Sequence, residues 1–416
     1  MEQIWYHIDI NSAFLSFEAA DRMRNGDMFD IRTVPSVIGG SEKERHGIVL
    51  AKSIECKKYD IKTGEPLVSA RKKYPNLLII PPNYEMYVQA SKAFIAFLRR
   101  FSPNVQQYSI DEAFVELTGT ERLLGQPVLF AHELKDMIQK EFGFTVNIGV
   151  ANNKMLAKMA SDFKKPNRVH TLFPWEIKKK MWPLPVADLF FVGSRTEKRL
   201  HQLGIYTIGE LANTDPEFLR TMFKSHGITI HNFANGIADG FDKVTMSPVN
   251  KGYGNSTTIA YDVTDSATAK SVLLSLTETV GARIRADKAY VSVVSVSIVD
   301  CDFNYSSHQM TLHSATDITN QIYDAACKLF DRLWSHEPIR QLGVHTHKAV
   351  TNAMYQYSLF DTQDADKLQQ MDMAVDDIRT RYGEDAVIRA CFINSKQEHM
   401  AGGLDRAKRT GITKEL

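Results

Sequence analysis

The sequence contains no apolar run that approaches the roughly 18 residues of a membrane-spanning helix. Its first residues, MEQIWYHIDINSAF, lack the basic and apolar regions of a secretory signal, so we expect a cytoplasmic protein. The four cysteines are far apart and form no C-x-x-C pair, which argues against a disulfide framework or a zinc site. At 416 residues the chain is too long for a single core, and we expect two to four domains.

A strong overall charge is also lacking, because the net charge is only +1. Residues 151–182 nevertheless hold eight Lys or Arg against two acidic residues. Such a basic stretch is either a solvated helix face or part of a phosphate-binding groove. Charge alone does not choose between the two.

The first 170 residues predict a ferredoxin-like sheet. IWYHIDI is typical of a buried strand that ends at Asp9, and a helix follows with Asn11 or Ser12 as its N-cap. YSIDEAFVEL is typical of a hairpin with Asp111 and Glu112 at its bend. The order strand, helix, strand, strand, helix, strand is the split βαβ pattern, so Asp9 should lie near the hairpin at one sheet edge.

The rest of the chain predicts further domains. Residues 171–240 contain short helices, and residues 250–350 repeat the β-α-β-β-α-β order, which predicts a repeated topology. The tail from residue 351 is polar, with one helix over 365–383. The fold class is therefore α+β and multidomain.

Clustered carboxylates repel one another and usually need a cation between them. Oxygen ligands suit Mg²⁺, and two such ions about 3.5–4 Å apart can hold the attacking and leaving oxygens of a phosphoryl transfer. The alternative for an isolated Asp-Glu pair is a turn residue followed by a solvated strand end.

Three segments resemble the signatures of Y-family translesion DNA polymerases: HIDINSAFLSFE (7–18), YSIDEAFVEL (108–117) and GVANNKMLAKMASDFKKPN (149–167). The DIN variant resembles the UmuC-like branch, and the resemblance covers roughly residues 1–350. It implies a right-hand polymerase with a ferredoxin-like palm, small fingers, a helical thumb and a little-finger domain. The implied ranges are palm 1–26 and 81–170, fingers 27–80, thumb 171–240, little finger 248–350, and tail 351–416.

The resemblance also implies a metal centre. Asp9, Asp111 and Glu112 match the catalytic metal-binding triad, with the Ile10 carbonyl as a further ligand. The implied cofactor is a pair of Mg²⁺ ions, which Mn²⁺ can replace.

A nucleotide site is implied next to it. Phe14 matches the steric gate that leaves no room for a 2′-hydroxyl, and Lys165 matches the lysine that reaches the triphosphate. The backbone of Asn11, Ser12 and Ala13 would face the triphosphate at a helix N-terminus, which is a natural anion site. A structural alternative for Phe14 is an ordinary core aromatic residue.

The finger and thumb segments depart from the common family pattern. Ala51, Ile54 and Lys57 stand where many relatives carry Thr or Ser, Tyr and Arg, so we expect Lys57 to bind phosphate and dNTP affinity to be weaker. FFVGSRTEKRLHQLGI (190–205) resembles a helix-hairpin-helix with Phe instead of the first glycine. Gly193, the amides after it and Arg195 are then the candidate DNA contacts, unless the segment is an ordinary helix pair.

QYSLF (356–360) resembles the short peptide by which bacterial polymerases dock on the sliding clamp. Gln356 and Ser358 would make polar contacts, while Leu359 and Phe360 would enter an apolar pocket.

The predicted function is template-directed, low-fidelity DNA synthesis in DNA repair and the SOS response, on primer–template DNA with dNTPs. We expect a monomer associated with the nucleoid, and relatives of the UmuC-like branch can work with accessory subunits, which this sequence neither requires nor excludes. Two alternatives remain: another two-metal enzyme such as a nucleotidyl cyclase, and a non-catalytic factor that binds the clamp and damaged DNA.

Overall fold

The computed structural model describes residues 3–40, 47–238, 250–351, 364–393, 395 and 397–401. These residues form two compact units, the first within 3–39 and 48–238 and the second within 250–401. In the part of the chain described, no helix is both long enough and apolar enough to cross a bilayer.

The first unit mixes strands and helices. Its strands are β1 (Trp5–Ile10), β2 (Ser36–Gly39), β3 (Val49–Lys52), β4 (Leu78–Ile80), β5 (Val105–Gln107), β6 (Glu112–Glu116), β7 (Val146–Ala151) and β8 (Val169–Thr171). Its helices are α1 (Ala13–Arg24), α2 (Leu67–Lys73), α3 (Tyr84–Leu98), α4 (Glu121–Leu124), α5 (Pro127–Phe142), α6 (Lys154–Ser161), α7 (Ile177–Lys180), α8 (Ser194–Gln202), α9 (Ile208–Ala212), α10 (Pro216–Phe223) and α11 (Ser225–Ala234).

The main sheet has the strand order β5-β6-β1-β7-β8. Counted along the chain, β1, β5, β6 and β7 take the arrangement of a ferredoxin-like sheet, as predicted. Every residue of β1 is buried because helices cover both faces of the sheet. Tyr6, Ile8 and Ile10 face the core with α3 and α5, and Trp5 joins the core with α6 and the later helices.

A smaller sheet, β3-β2-β4, lies in the segment predicted as fingers. Val37, Val49 and Leu67 form its own small core with the neighbouring helix α2. The predicted helix, glycine turn and second helix of residues 190–212 are confirmed as α8, Gly204 at φ +79° and α9.

The second unit contains β9 (Gly252–Val263), α12 (Ser266–Ala286), β10 (Val291–Asp300), β11 (Tyr305–Thr316), α13 (Thr319–Leu333), β12 (Ile339–His347) and α14 (Ala365–Tyr382). The predicted order of elements is confirmed, but the prediction of a repeated topology is wrong. The sheet order is β11-β10-β12-β9, which puts the first strand at an edge. The reason is burial: β1 is buried throughout and needs neighbours on both sides, whereas β9 is half exposed and suits an edge.

The C-terminal segment packs against α12 through charged side chains. Glu278 of α12 is buried and accepts hydrogen bonds from Arg379 of α14 at 2.7 Å and from Arg389 at 2.6 Å. Arg285 of α12 bonds Asp376 at 2.6 Å. The predicted helix in the tail is therefore part of the second unit.

Candidate active site

Three acidic residues converge at one end of the β1–β6 strand pair. Asp9 of β1 is the register partner of Glu112 of β6. The Ile10 amide, one residue along β1, donates a hydrogen bond to the Asp111 carbonyl at 3.0 Å. The backbone thus brings together the predicted triad, although 102 residues separate Asp9 from Asp111 in the sequence.

Helix α6 lies directly over this end of the sheet. A side chain on Gly149 of β7 would place its Cβ 1.9 Å from the Ala157 carbonyl oxygen and 2.5 Å from the Ser161 amide nitrogen. Only glycine allows an approach this close. As a result, the side chains of α6 reach the acidic residues of the neighbouring strands.

Two lysine ammonium groups lie against the carboxylates. Lys165 bonds Asp9 at 2.7 Å, and Lys158 of α6 bonds Glu112 at 2.5 Å and lies 4.0 Å from Asp9. Both lysines also pair with the more exposed Asp162, at 2.9 and 3.3 Å. Lys165 was predicted as a triphosphate ligand, whereas Lys158 was not singled out from the sequence.

Burial dominates the electrostatics of Asp9. It raises the pKa of this carboxyl to about 6, with Glu112 adding to the rise and Lys165 and Lys158 opposing it. For the lysines, burial works toward a lower pKa, but Asp162, Asp9 and Glu112 outweigh it and raise the pKa of both. Asp9 therefore favours a strong positive charge beside it, and both lysines stay charged at neutral pH.

The donor chemistry at this edge fits a hard divalent cation. Asp9 and Glu112 offer carboxylate oxygens on adjacent strands, and ammonium groups already neutralise them. The Asp111 carboxylate is turned aside and accepts a 2.5 Å hydrogen bond from the Ser109 hydroxyl. Consequently, among the residues described, no three acidic, His or Cys side chains are gathered around one metal position.

His7 lies behind Glu112 on the same face of β1 as Asp9, because side chains alternate along a strand. It is fully buried, and its ring packs against Phe114 with centroids 4.7 Å apart. Its Nδ1 is 2.7 Å from the Ser161 hydroxyl, and its Nε2 is 3.9 Å from Glu112 Oε2. The two-residue spacing from Asp9 was the sequence signal that could have identified it.

The predicted gate residue Phe14 is half-buried in the first turn of α1. Its ring stacks on Tyr87 of α3, with centroids 4.9 Å apart and planes 15° apart, and meets Tyr84 edge-on at 5.9 Å. Since Tyr87 is itself fully buried, Phe14 has a rigid support.

Ser12 is the N-cap of α1, as one of the two predicted residues, but it is left-handed at φ 49° and its side chain makes no capping hydrogen bond. The Asn11 amide donates to the Thr145 carbonyl, and its side chain bonds Asn147 and the Asn167 amide. The anion site predicted here would therefore have to use the amides of Ser12 at the N-cap and of Ala13 and the residue after it in the first turn.

The remaining predicted residues lie on other elements than the carboxylates. Lys57 is exposed in the short 3₁₀ helix Ile54–Tyr59. Gly193 is the exposed N-cap of α8, with Arg195 exposed in its first turn. Phe191, at the first glycine position of the motif, adopts φ +76°, which explains why glycine suits that position.

The predicted clamp-binding residues lie outside the described residues: Gln356, Ser358, Leu359 and Phe360.

Comparison with known proteins gives matches along the chain. The impB/mucB/samB family matches residues 8–162, the IMS family HHH motif 175–205, and the impB/mucB/samB family C-terminal domain 250–359. DNA polymerase IV of Clostridium acetobutylicum is 43% identical over 398 residues, or 96% of this chain and 100% of that protein. DNA polymerase IV 1 of Bacillus subtilis is 31% identical, with 96% and 95% covered.

A solved structure shares the fold. It is a Y-family DNA polymerase chimera of Dbh and Dpo4, with a TM-score of 0.70 and 21% identity, covering 84% of this chain and 100% of that one. The multidomain α+β polymerase fold predicted from the sequence is thereby confirmed. Because the clostridial relative is so similar over nearly the whole of both chains, this chain belongs to the impB/mucB/samB family, the Y family of translesion DNA polymerases.

Proposed function

We propose that this polymerase extends a DNA primer at the β1–β6 sheet edge, with Asp9, Asp111 and Glu112 as ligands of two divalent metal ions. The reaction joins the primer 3′-hydroxyl to the α-phosphate of a dNTP and releases pyrophosphate. The observation that carries the proposal is the pairing of buried Asp9 with Glu112 beside two lysine ammonium groups. Family membership favours this reaction over a nucleotidyl cyclase or a non-catalytic clamp-binding factor.

The chain's own residues set up the reaction by position and charge. When bound, Mg²⁺ or Mn²⁺ would activate the primer hydroxyl and neutralise the phosphates. Asp9 and Glu112 are fixed by paired strands, so they define the site, and Asp111 joins them when its carboxylate leaves Ser109. Lys165 exchanges Asp9 for the triphosphate, and its raised pKa keeps it charged for this contact.

Primer extension tests the carboxylates directly. Asp9→Asn and Glu112→Gln should each reduce synthesis by at least about a hundredfold, the scale of a lost electrostatic contact in an active site. Glu116→Gln is the matched control, because Glu116 lies on the same strand and face as Glu112 but at the far end, beside Trp5. Full activity of Glu112→Gln, or equal loss in the control, would contradict the proposal.

We also propose that Phe14 selects deoxynucleotides and that Lys57 contacts the triphosphate. The stacked support from Tyr87 favours a rigid gate. Lys57→Ala should raise the apparent KM for dNTP by several-fold with little change in kcat, because a lost ground-state phosphate contact weakens binding. An unchanged KM would remove Lys57 from the nucleotide site.

The N-terminus of α8 is our proposed DNA-backbone contact. Gly193 leaves open space around its Cα, and Arg195 is exposed one residue into the helix. Amides at a helix start together with an arginine suit a phosphate. Arg195→Ala should weaken DNA binding equally for all sequences and reduce the salt slope by about one; a sequence-dependent loss would exclude a backbone contact.

For the clamp we propose docking through the peptide 356–360, on its sequence alone. Replacing Gln356, Leu359 and Phe360 together should abolish stimulation by the sliding clamp and spare clamp-free synthesis. Equal losses with and without the clamp would contradict this role. Whether synthesis also needs accessory subunits is answered by the same assay with purified components.

A further inference from the structure

His7 has a defined orientation that the reaction described above does not use. Its Nδ1 lies 2.7 Å from the Ser161 hydroxyl oxygen, and that hydroxyl donates its hydrogen to the Lys158 carbonyl at 2.8 Å. A hydroxyl has a single hydrogen, so Ser161 can only accept from the imidazole. His7 therefore carries its proton on Nδ1.

The other ring nitrogen faces the carboxylate edge. With its one proton on Nδ1, the neutral imidazole has an unprotonated Nε2, which is an acceptor. Nε2 lies 3.9 Å from Glu112 Oε2 and has no hydrogen-bond partner among the described residues. Lys158 meanwhile holds the other carboxylate oxygen, Oε1.

Two acceptors therefore face each other: Nε2, which is buried without a partner among the described residues, and Oε2 of Glu112, whose side chain is 17% exposed. An unsatisfied buried acceptor such as Nε2 costs free energy, and neither atom can supply a hydrogen to the other. Both atoms would be satisfied by a group that donates a hydrogen bond to Nε2 and places positive charge beside Oε2. A hydrated divalent cation is such a group, because Mg²⁺ keeps several of its waters when protein carboxylates bind it.

We propose that His7 is a positioning residue of the metal centre, whose Nε2 accepts a hydrogen bond from a water ligand of the divalent ion held by Glu112. This inference rests on the metal-binding role proposed above for Glu112. Ser161 fixes the tautomer, and the close packing of α6 at Gly149 fixes Ser161. Partners of this kind typically change metal affinity by 10–100-fold.

Two substitutions separate this role from simple packing against Phe114. In His7→Asn the amide nitrogen occupies the place of Nδ1, so the bond to Ser161 is kept and the acceptor toward Glu112 is lost. In His7→Gln the amide oxygen reaches the place of Nε2, so the acceptor is kept. A packing role would make the two variants alike, whereas the positioning role makes them differ.

The experiment measures Mn²⁺ binding to the full chain by electron paramagnetic resonance and thermal unfolding in EDTA. We expect His7→Asn to weaken Mn²⁺ binding 10–100-fold, and His7→Gln to restore it to within about threefold of wild type. In primer extension, His7→Asn should raise the Mg²⁺ concentration needed for half-maximal rate more than it lowers the maximal rate. Equal weakening in both variants, tracking lower unfolding temperatures, would overturn the inference.

Glu112→Gln distinguishes failure of this inference from failure of the proposed function. If Glu112→Gln loses Mn²⁺ and His7→Asn binds it like wild type, the metal site stands and the role of His7 is overturned. If Glu112→Gln also binds Mn²⁺ like wild type, the metal-binding role of Glu112 is overturned, and the role of His7 with it.

Discussion

Replacing Asp9 by asparagine should stabilise the metal-free protein while abolishing its activity. The Asp9 side chain is 11% exposed, and burial raises its pKa from 3.8 to about 6 although Lys165 and Lys158 oppose the rise. Each pKa unit corresponds to about 1.4 kcal/mol, so holding Asp9 ionised destabilises the folded state by about 3 kcal/mol. Asparagine has nearly the same shape and no charge.

The pH dependence follows from a folded-state pKa that lies above the unfolded one. The stability associated with protonated Asp9 is fully present below the unfolded pKa of 3.8 and is lost as the pH rises through about 6. Asp9→Asn should therefore exceed wild type by up to about 3 kcal/mol at pH 8. The difference should shrink to less than about 1 kcal/mol near pH 4.

The free-energy difference in the first unit is measured by urea unfolding in EDTA, with hydrogen exchange of peptides from β1 as the readout. Asp162→Asn is the matched control, because Asp162 pairs with Lys165 and Lys158 but its side chain is 43% exposed. The control should gain nothing at pH 8. If Asp9→Asn is no more stable than wild type at pH 8, the reasoning from desolvation is refuted.

Three further substitutions probe other features. Gly149→Ala should push α6 off the sheet, since its Cβ would lie 1.9 Å from a carbonyl oxygen of that helix; we expect a loss of about 1–3 kcal/mol in urea unfolding and at least about tenfold slower primer extension. Glu278→Ala should lower the free energy of unfolding of the second unit by about 3–5 kcal/mol, because it leaves the buried Arg379 without its carboxylate. Tyr87→Ala should raise ribonucleotide incorporation about tenfold, because Phe14 loses its stacked support.

Each of these has its own control. Gly193→Ala should leave stability within about 0.5 kcal/mol, because a Cβ there meets nothing within 4 Å. Asp331→Ala removes an exposed carboxylate that pairs with the half-buried Lys270 and should cost less than about 1 kcal/mol. For the gate, Phe14→Ala sets the upper limit of ribonucleotide incorporation, and a Tyr87→Ala variant as selective as wild type would show that the stacking does not support the gate.

The sequence predicted those parts of the site that depend on local patterns of apolar and polar residues. The buried-strand pattern of IWYHIDI placed Asp9 at a strand end, and the alternating apolar and polar flanks of Asp111 and Glu112 indicated a hairpin. The order of elements then put these residues at one edge, because the split βαβ pattern pairs the first strand with the hairpin.

Side-chain contacts between distant segments could not be predicted in the same way. Lys158 is 46 residues from Glu112, and Ser161 is 154 residues from His7. Their meeting depends on how closely α6 packs at Gly149, and no periodic pattern encodes that distance. The choice of Ser12 over Asn11 as N-cap of α1 has a related reason, since tertiary hydrogen bonds engage Asn11.

The strand order of the second unit was mispredicted because the same order of elements is compatible with two arrangements, with the first strand inside the sheet as in the first unit or at its edge. In the second unit β9 pairs with β12 at the edge and is half exposed. The ion pairs of Glu278 are with arginines 101 and 111 positions later in the chain, and no sequence motif indicates them.

The contacts that fasten the C-terminal segment to α12 have a consequence for biosynthesis. Ser275 and Thr279 of α12 bond backbone groups at Glu398 and Ala401, so that face of the helix is completed only by residues made more than a hundred positions later. At about 5–20 residues per second, a nascent chain would carry this polar, incompletely covered surface for roughly 10 s before the segment emerges from the ribosome. Truncation near residue 351 would make that interim state permanent, so this polymerase should be expressed to at least Ala401.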